Sequence, residues 1–132
     1  MSCPCQSQVE FNQCCEPIIK GNQQAETAEQ LMRARYTAYS QINMEFIEQS
    51  HDPKTRRETD MGANTEWAEK TKWLDLKIVK SEKGQAKDKT GLIEFKAKFT
   101  ADGEEQWHHE KSEFTKREGQ WYFSRGRDLT VE

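Results

Sequence analysis

Apolar residues at Leu31, Met32, Tyr36, Tyr39, Ile42, Phe46 and Ile47 recur at three- and four-residue steps, which predicts helix with one apolar face. Just before them, Thr27-Ala28-Glu29-Gln30 has the capping-box form, a hydroxyl at the N-cap and an amide three residues on. Asn43 divides the run into a long helix and a short one that ends near Ser50, and Pro53 forces the chain out of helix. Residues 54–64 are polar and include Gly62, and Thr65 is expected to open a further short helix through Trp67 towards Lys72. From Trp73 the period changes to two. Leu74, Leu76 and Ile78 form one strand, Ile93, Phe95, Ala97 and Phe99 a second, Gln106–Thr115 a third and Gln120–Ser124 a fourth. Lys83-Gly84, Asp102-Gly103 and Glu118-Gly119 supply the turns. Helices followed by an antiparallel four-strand meander give an α+β layer fold.

The N-terminal segment follows no such period. All four cysteines fall there, as Cys3-Pro4-Cys5, eight residues, then Cys14-Cys15. Bridges between Cys3 and Cys5 or between Cys14 and Cys15 would be strained. Four thiolates so close in sequence suit a tetrahedral Zn²⁺ far better, and an iron–sulfur cluster less well, because cluster ligands usually lie at other spacings. A closed four-cysteine site leaves no open coordination position, so the expected role is structural, with one Zn²⁺ per chain. Residues 16–26, with Pro17 and Gly21, read as a linker. The expected organisation is therefore a knuckle over residues 1–20 and an α+β domain over residues 21–132.

Composition sharpens this reading. One third of the 132 residues are charged and one third apolar, and the mean hydropathy is −1.09. Leu, Ile, Val and Phe make up about 15%, below the roughly 20% that warns of disorder. The net charge of only −3 and the 10% aromatic content argue for a folded, core-poor domain. Such a domain gains from a metal staple. An acidic balance makes nucleic acid an unlikely partner, since phosphate backbones want a basic face. No apolar stretch approaches a membrane span, and no basic-then-apolar leader precedes Cys3, so the expected location is the cytoplasm.

The cysteine spacing, with Phe11 three residues before the final pair, resembles the SEC-C motif, which closes the tail of the SecA translocase. LMRARYTAYS at Leu31–Ser40, Ser50-His51-Asp52-Pro53, Trp73-Leu74, Glu110–Phe114 and Gly119–Phe123 extend the likeness to the YchJ-like family of bacterial proteins over most of the chain. This resemblance implies a cystatin-like fold of the nuclear transport factor 2 superfamily, in which a curved sheet wraps a long helix. It also implies protein binding through the knuckle, because the similar motif in SecA serves a chaperone partner. Gln6 and Gln8 stand where the family motif usually carries glycine; if the knuckle needs positive φ there, glutamine is strained. Many family members carry a second such motif, whereas the four cysteines here account for one.

A fold of this kind commonly encloses a pocket between sheet and helix. His108, Glu110, Ser112 and Phe114 share one strand face, with His108 and Glu110 about 7 Å apart along the strand. Tyr36 and Tyr39 are expected to project phenols towards the same space. Arg33 is expected on the wet face and His51 in a turn, while Arg35 is expected to pair with Glu110. The adjacent His108 and His109 face opposite ways and cannot readily share a metal. The function these features favour is a zinc-binding protein-interaction or small-ligand-binding module, not an enzyme. A small isomerase or hydrolase using His108 or Glu110, and a redox or zinc-responsive role for Cys14 and Cys15, are the alternatives.

Overall fold

Four antiparallel strands in the order β1-β2-β3-β4 make up the sheet: β1 Lys72–Lys83, β2 Thr90–Ala101, β3 Glu104–Arg117 and β4 Gln120–Asp128. The structure is a computed structural model describing residues 2–58 and 60–129. Met1 and residues 130–132, the outer ends of the two expected units, lie outside the described residues. Each strand runs longer than its apolar alternation, because backbone pairing with a neighbour carries on through the flanking charged positions. The turns form where expected. Asp102-Gly103 and Glu118-Gly119 take positive φ at both residues, which suits the right-handed twist of the flanking strands. Bulges in β1 beside Trp73 and Ile78, and in β4 at Ser124 opposite Glu113 and Phe114, curve the sheet.

Into the concave face packs α2, Ala28–Ser40. The Thr27 hydroxyl accepts from the Gln30 amide at 3.1 Å, and the Gln30 side chain reaches back to the Glu26 amide at 2.8 Å. The cap thus holds, displaced by one residue on its return leg. At this end the helix lies against two glycines: a Cβ on Gly91 would come within 2.6 Å of the Gly84 Cα and 3.0 Å of the Ala28 Cβ. Asn43 caps α3, Met44–Gln49, through the Phe46 amide, as its sequence implies.

Two expectations need correction. Residues 16–19 are not linker but a short helix, α1 (Glu16–Ile19), with Pro17 in its first turn and Ile18 buried. Thr65 does not open the next helix. Asp60 does, accepting from the Ala63 amide at 3.0 Å, so that α4 spans Met61–Lys70 and the Thr65 hydroxyl turns inward to the Met61 carbonyl. The core joins Leu31, Met32 and Tyr36 of α2 to Ile93, Phe114 and Trp121 of the sheet, and it includes Cys3, Cys5 and Cys15. No described helix is long and apolar enough to cross a membrane.

Candidate functional site

The cysteine loop is built by a short antiparallel bridge between Ser2 and Glu10 and by the Cys3 amide donating to the Val9 carbonyl at 2.8 Å. Between them the chain reverses through Gln6 at φ 68° and Gln8 at φ 69°. These are the left-handed positions that favour glycine. A 3-10 turn at Phe11–Gln13 then returns Cys14 and Cys15 to Cys3 and Cys5. All four sulfurs lie within 4.8 Å of one another, with Cys5–Cys14 at 3.6 Å and Cys14–Cys15 at 3.9 Å. Tetrahedral thiolates at 2.3 Å from a Zn²⁺ would be about 3.8 Å apart, so the donor set and its spacing fit a metal ion of that kind. All four cysteines are free, and the separations far exceed a disulfide bond.

Their electrostatics point the same way. A hydrogen bond from Cys15 pulls the Cys5 thiol well below its ordinary range; that same bond, followed by burial, pushes Cys15 up, and burial raises Cys14. Thiolates this close repel unless a cation sits among them, and Cys3, Cys5, Cys14 and Cys15 are the residues that would hold it. Helix α2 braces the loop. Arg33 does not sit on the wet face as expected: it bridges Glu29 at 3.1 Å and donates to the Cys5 carbonyl at 2.7 Å. Thr37, one turn on, places its hydroxyl 3.7 Å from the Cys3 sulfur.

On the other side of α2 lies a cavity of about 510 Å³. Arg35, Tyr36 and Tyr39 line it from the helix, and His108, Glu110 and Ser112 from β3. The structure thus brings the six pocket residues of the sequence analysis to one space. Aromatic rings form its walls. Trp67 of α4 stands edge-on to Trp73 at 5.1 Å and to Tyr39 at 6.1 Å, and Tyr36 meets Trp73 at 5.6 Å.

On the floor Ser112 donates to Glu110 Oε2 at 2.5 Å, and His108 Nε2 lies 2.9 Å from Glu110 Oε1. The carboxylate rests above Gly126 of β4, where a Cβ would come within 2.5 Å of Oε2. Burial opposes protonation of His108, but the hydrogen bond and charge of Glu110 outweigh it and raise the pKa. His109 points to the opposite face and meets Glu94 at 2.7 Å.

Arg35 and Glu110 do not form the expected ion pair. The Arg35 guanidinium turns instead towards the end of α3, where Nη1 donates to the Ile47 carbonyl at 2.9 Å and to the Ser50 hydroxyl at 2.6 Å. Phe123 of β4 covers one face at 4.4 Å. Neutral acceptors and an aromatic face replace the carboxylate because the α2–α3 corner brings helix-end carbonyls nearer than β3.

A scan against protein families matches residues 27–126 to the model described as YchJ, middle NTF2-like domain. The chain belongs to the YchJ family. A UPF0225 protein of Geobacter sulfurreducens is 40% identical over 94% of this chain and 77% of its own length. One from Actinobacillus succinogenes is 39% identical over 98% of this chain and 82% of its own. Among solved structures, a SEC-C motif containing protein from Rhodopseudomonas palustris superposes with a TM-score of 0.88 at 37% identity, covering 98% of this chain and all of that one. Another from Psychrobacter arcticus gives 0.81 at 30% identity, covering 100% and 85%. These likenesses span both the cysteine loop and the α+β fold.

In this YchJ-family chain the sequence reading missed His51. It is a buried cavity residue, not a simple turn residue, held by Thr55 at 3.1 Å and edge-on to Phe123 at 5.2 Å. Burial, then the nearby Arg35 and Arg56 charges, lower its pKa and keep the ring neutral. Its neighbours explain the placement. The Asp52 amide donates to the Phe123 carbonyl and the Phe123 amide to the Ser50 carbonyl, so the segment docks on β4 as a short parallel bridge. Asp52, itself buried, takes both Arg117 Nε and Nη2, at 2.9 and 3.0 Å. The signal was faint: Pro53 ends the helix just after two polar residues, and only their burial in the fold shows that they need partners from elsewhere.

Proposed function

We propose that this protein binds a small ligand in the cavity beneath α2, and that one structural Zn²⁺ held by Cys3, Cys5, Cys14 and Cys15 staples its N-terminal loop to the same helix. The observation carrying this reading is the cavity: about 510 Å³, with aromatic walls and a few converging polar groups. Pockets of roughly 300–1,000 Å³ with that lining suit small organic molecules. Four protein sulfurs would complete the coordination of the metal and leave no position for substrate, which supports a structural ion. A fragment library screened by amide NMR tests the ligand reading. Shifts confined to residues around Tyr36, His108 and Phe123 are expected; hits scattered over the surface, or none, would defeat it.

The loop favours a second reading, contact with a protein partner. Val9 is 43% exposed on the returning arm of the cysteine loop, directly after Gln8, which is fixed at positive φ. A photo-crosslinker at position 9 should give one discrete protein adduct in cells, lost when Cys14→Ser loosens the loop. An adduct pattern indifferent to that change counts against it.

A further inference from the structure

We propose that the ligand is a small organic anion: a carboxylate on a planar apolar body, with the carboxylate against Arg35 and the body against the aromatic wall of Trp67, Trp73 and Tyr36. This rests on the ligand-binding reading and adds the chemical class. Arg35 is only 7% exposed and lines the cavity, and although the Glu110 charge acts on it, no carboxylate hydrogen-bonds to it. A buried cation whose direct hydrogen-bond partners are all neutral is costly, and an incoming anion would relieve that cost. The two protons of Nη1 are taken by Ile47 and Ser50, while Nε and Nη2 carry the remaining three donors. Tyr39 also lines the cavity, and its hydroxyl interacts with the guanidinium and can donate to the same anion.

The other charges permit this. Arg125 also lines the cavity, and His51 is held neutral by burial and by its cationic neighbours. Glu110, the acidic residue of the lining, already spends its two oxygens on Ser112 and His108. The hydrogen bond from His108 and the raised pKa of that ring offset the Glu110 charge in part. A cationic ligand would have to displace those bonds and approach Arg35 unscreened. The edge-on Trp67–Trp73 and Tyr36–Trp73 contacts supply ring faces for a flat apolar body.

The test compares naphthoate, naphthylmethanol and naphthylmethylamine on one skeleton, read by tryptophan fluorescence and by amide NMR shifts on the full chain. Naphthoate should bind at least about tenfold more tightly than the alcohol, with the amine weakest. Arg35→Met should erase the difference between acid and alcohol. Because that variant also removes helix-end hydrogen bonds, Tyr39→Phe serves as a second one, weakening the acid severalfold more than the alcohol. Equal or tighter binding of the alcohol or amine overturns the anion assignment and leaves the ligand-binding reading standing. Failure of all three probes at millimolar concentration overturns both.

Discussion

Gln6 and Gln8 each sit in the left-handed region, where an L-residue pays roughly 1–2 kcal/mol that glycine does not. Glycine's greater freedom in the unfolded chain offsets part of this, by roughly 0.5–1 kcal/mol. The double change Gln6→Gly, Gln8→Gly should therefore raise stability by about 1 kcal/mol and tighten metal retention, measured by urea unfolding and by competition with a chelator. Unchanged or weaker retention would mean that the glutamines cost the loop nothing.

Two ion pairs make pH predictions of opposite sign. Asp52 is held below the ordinary carboxylate range, first by its hydrogen bond to Arg117, so its contribution is present above about pH 4 and fades as pH falls through the lowered value. Asp52→Asn should cost roughly 1–3 kcal/mol at pH 7, discounted because Arg117 is partly exposed, with the difference shrinking in acid. His108 has a raised pKa in the folded state, so the His108–Glu110 pair contributes fully below about pH 6.5 and loses that contribution as pH rises through the folded value. Thermal melts of Glu110→Gln against the parent should differ more at pH 5.5 than at pH 8.5. A gap that widens towards alkaline pH would show that the pair has been read with the wrong sign.

Among the elements, those with a long, uninterrupted period were legible and those fixed by a single contact were not. The alternation from Leu74 to Phe99 and the Asp-Gly and Glu-Gly turns gave the meander, and the Thr27 and Asn43 caps gave two helix starts. Helix α1 escaped because four residues carry no period; burial of Ile18 and the proline in its first turn hold it. Helix α4 was misplaced at its start because Asp60 and Thr65 are equally plausible caps by residue type, and tertiary placement chose the aspartate. At the candidate site, side-chain types on β3 showed which residues share a face. They could not show that the α2–α3 corner would draw Arg35 away from Glu110. The close approach of α2 to the sheet gives this scale its own prediction. Gly91→Ala forces its methyl to within 2.6 Å of the Gly84 backbone and should destabilise by about 1–3 kcal/mol, seen as a lower urea midpoint at unchanged slope.

At the scale of the whole molecule, one helix faces both candidate sites. Arg33 and Thr37 support the cysteine loop, while Arg35, Tyr36 and Tyr39 line the cavity. A knuckle behind a passive linker would melt alone when its metal is removed. This loop instead shares a hydrophobic cluster with α2. Elemental analysis is expected to find one zinc per chain. Chelation should then release residues 2–20 and speed amide exchange in the first two turns of α2, while Phe95–Phe99 in β2 stay protected. Exchange limited strictly to the loop would show that the helix does not depend on it.

The bare backbone at Gly126 has a consequence for how the cavity could change its chemistry. The atom nearest to an added methyl there is the free end of the Glu110 side chain, which can swing away without disturbing the sheet. Alanine at this position would evict the carboxylate from its seat and release Ser112 and His108 from it. One carbon atom, added where bare backbone seats the carboxylate, would thus rewrite the polarity of the interior while every polar group remained in the sequence.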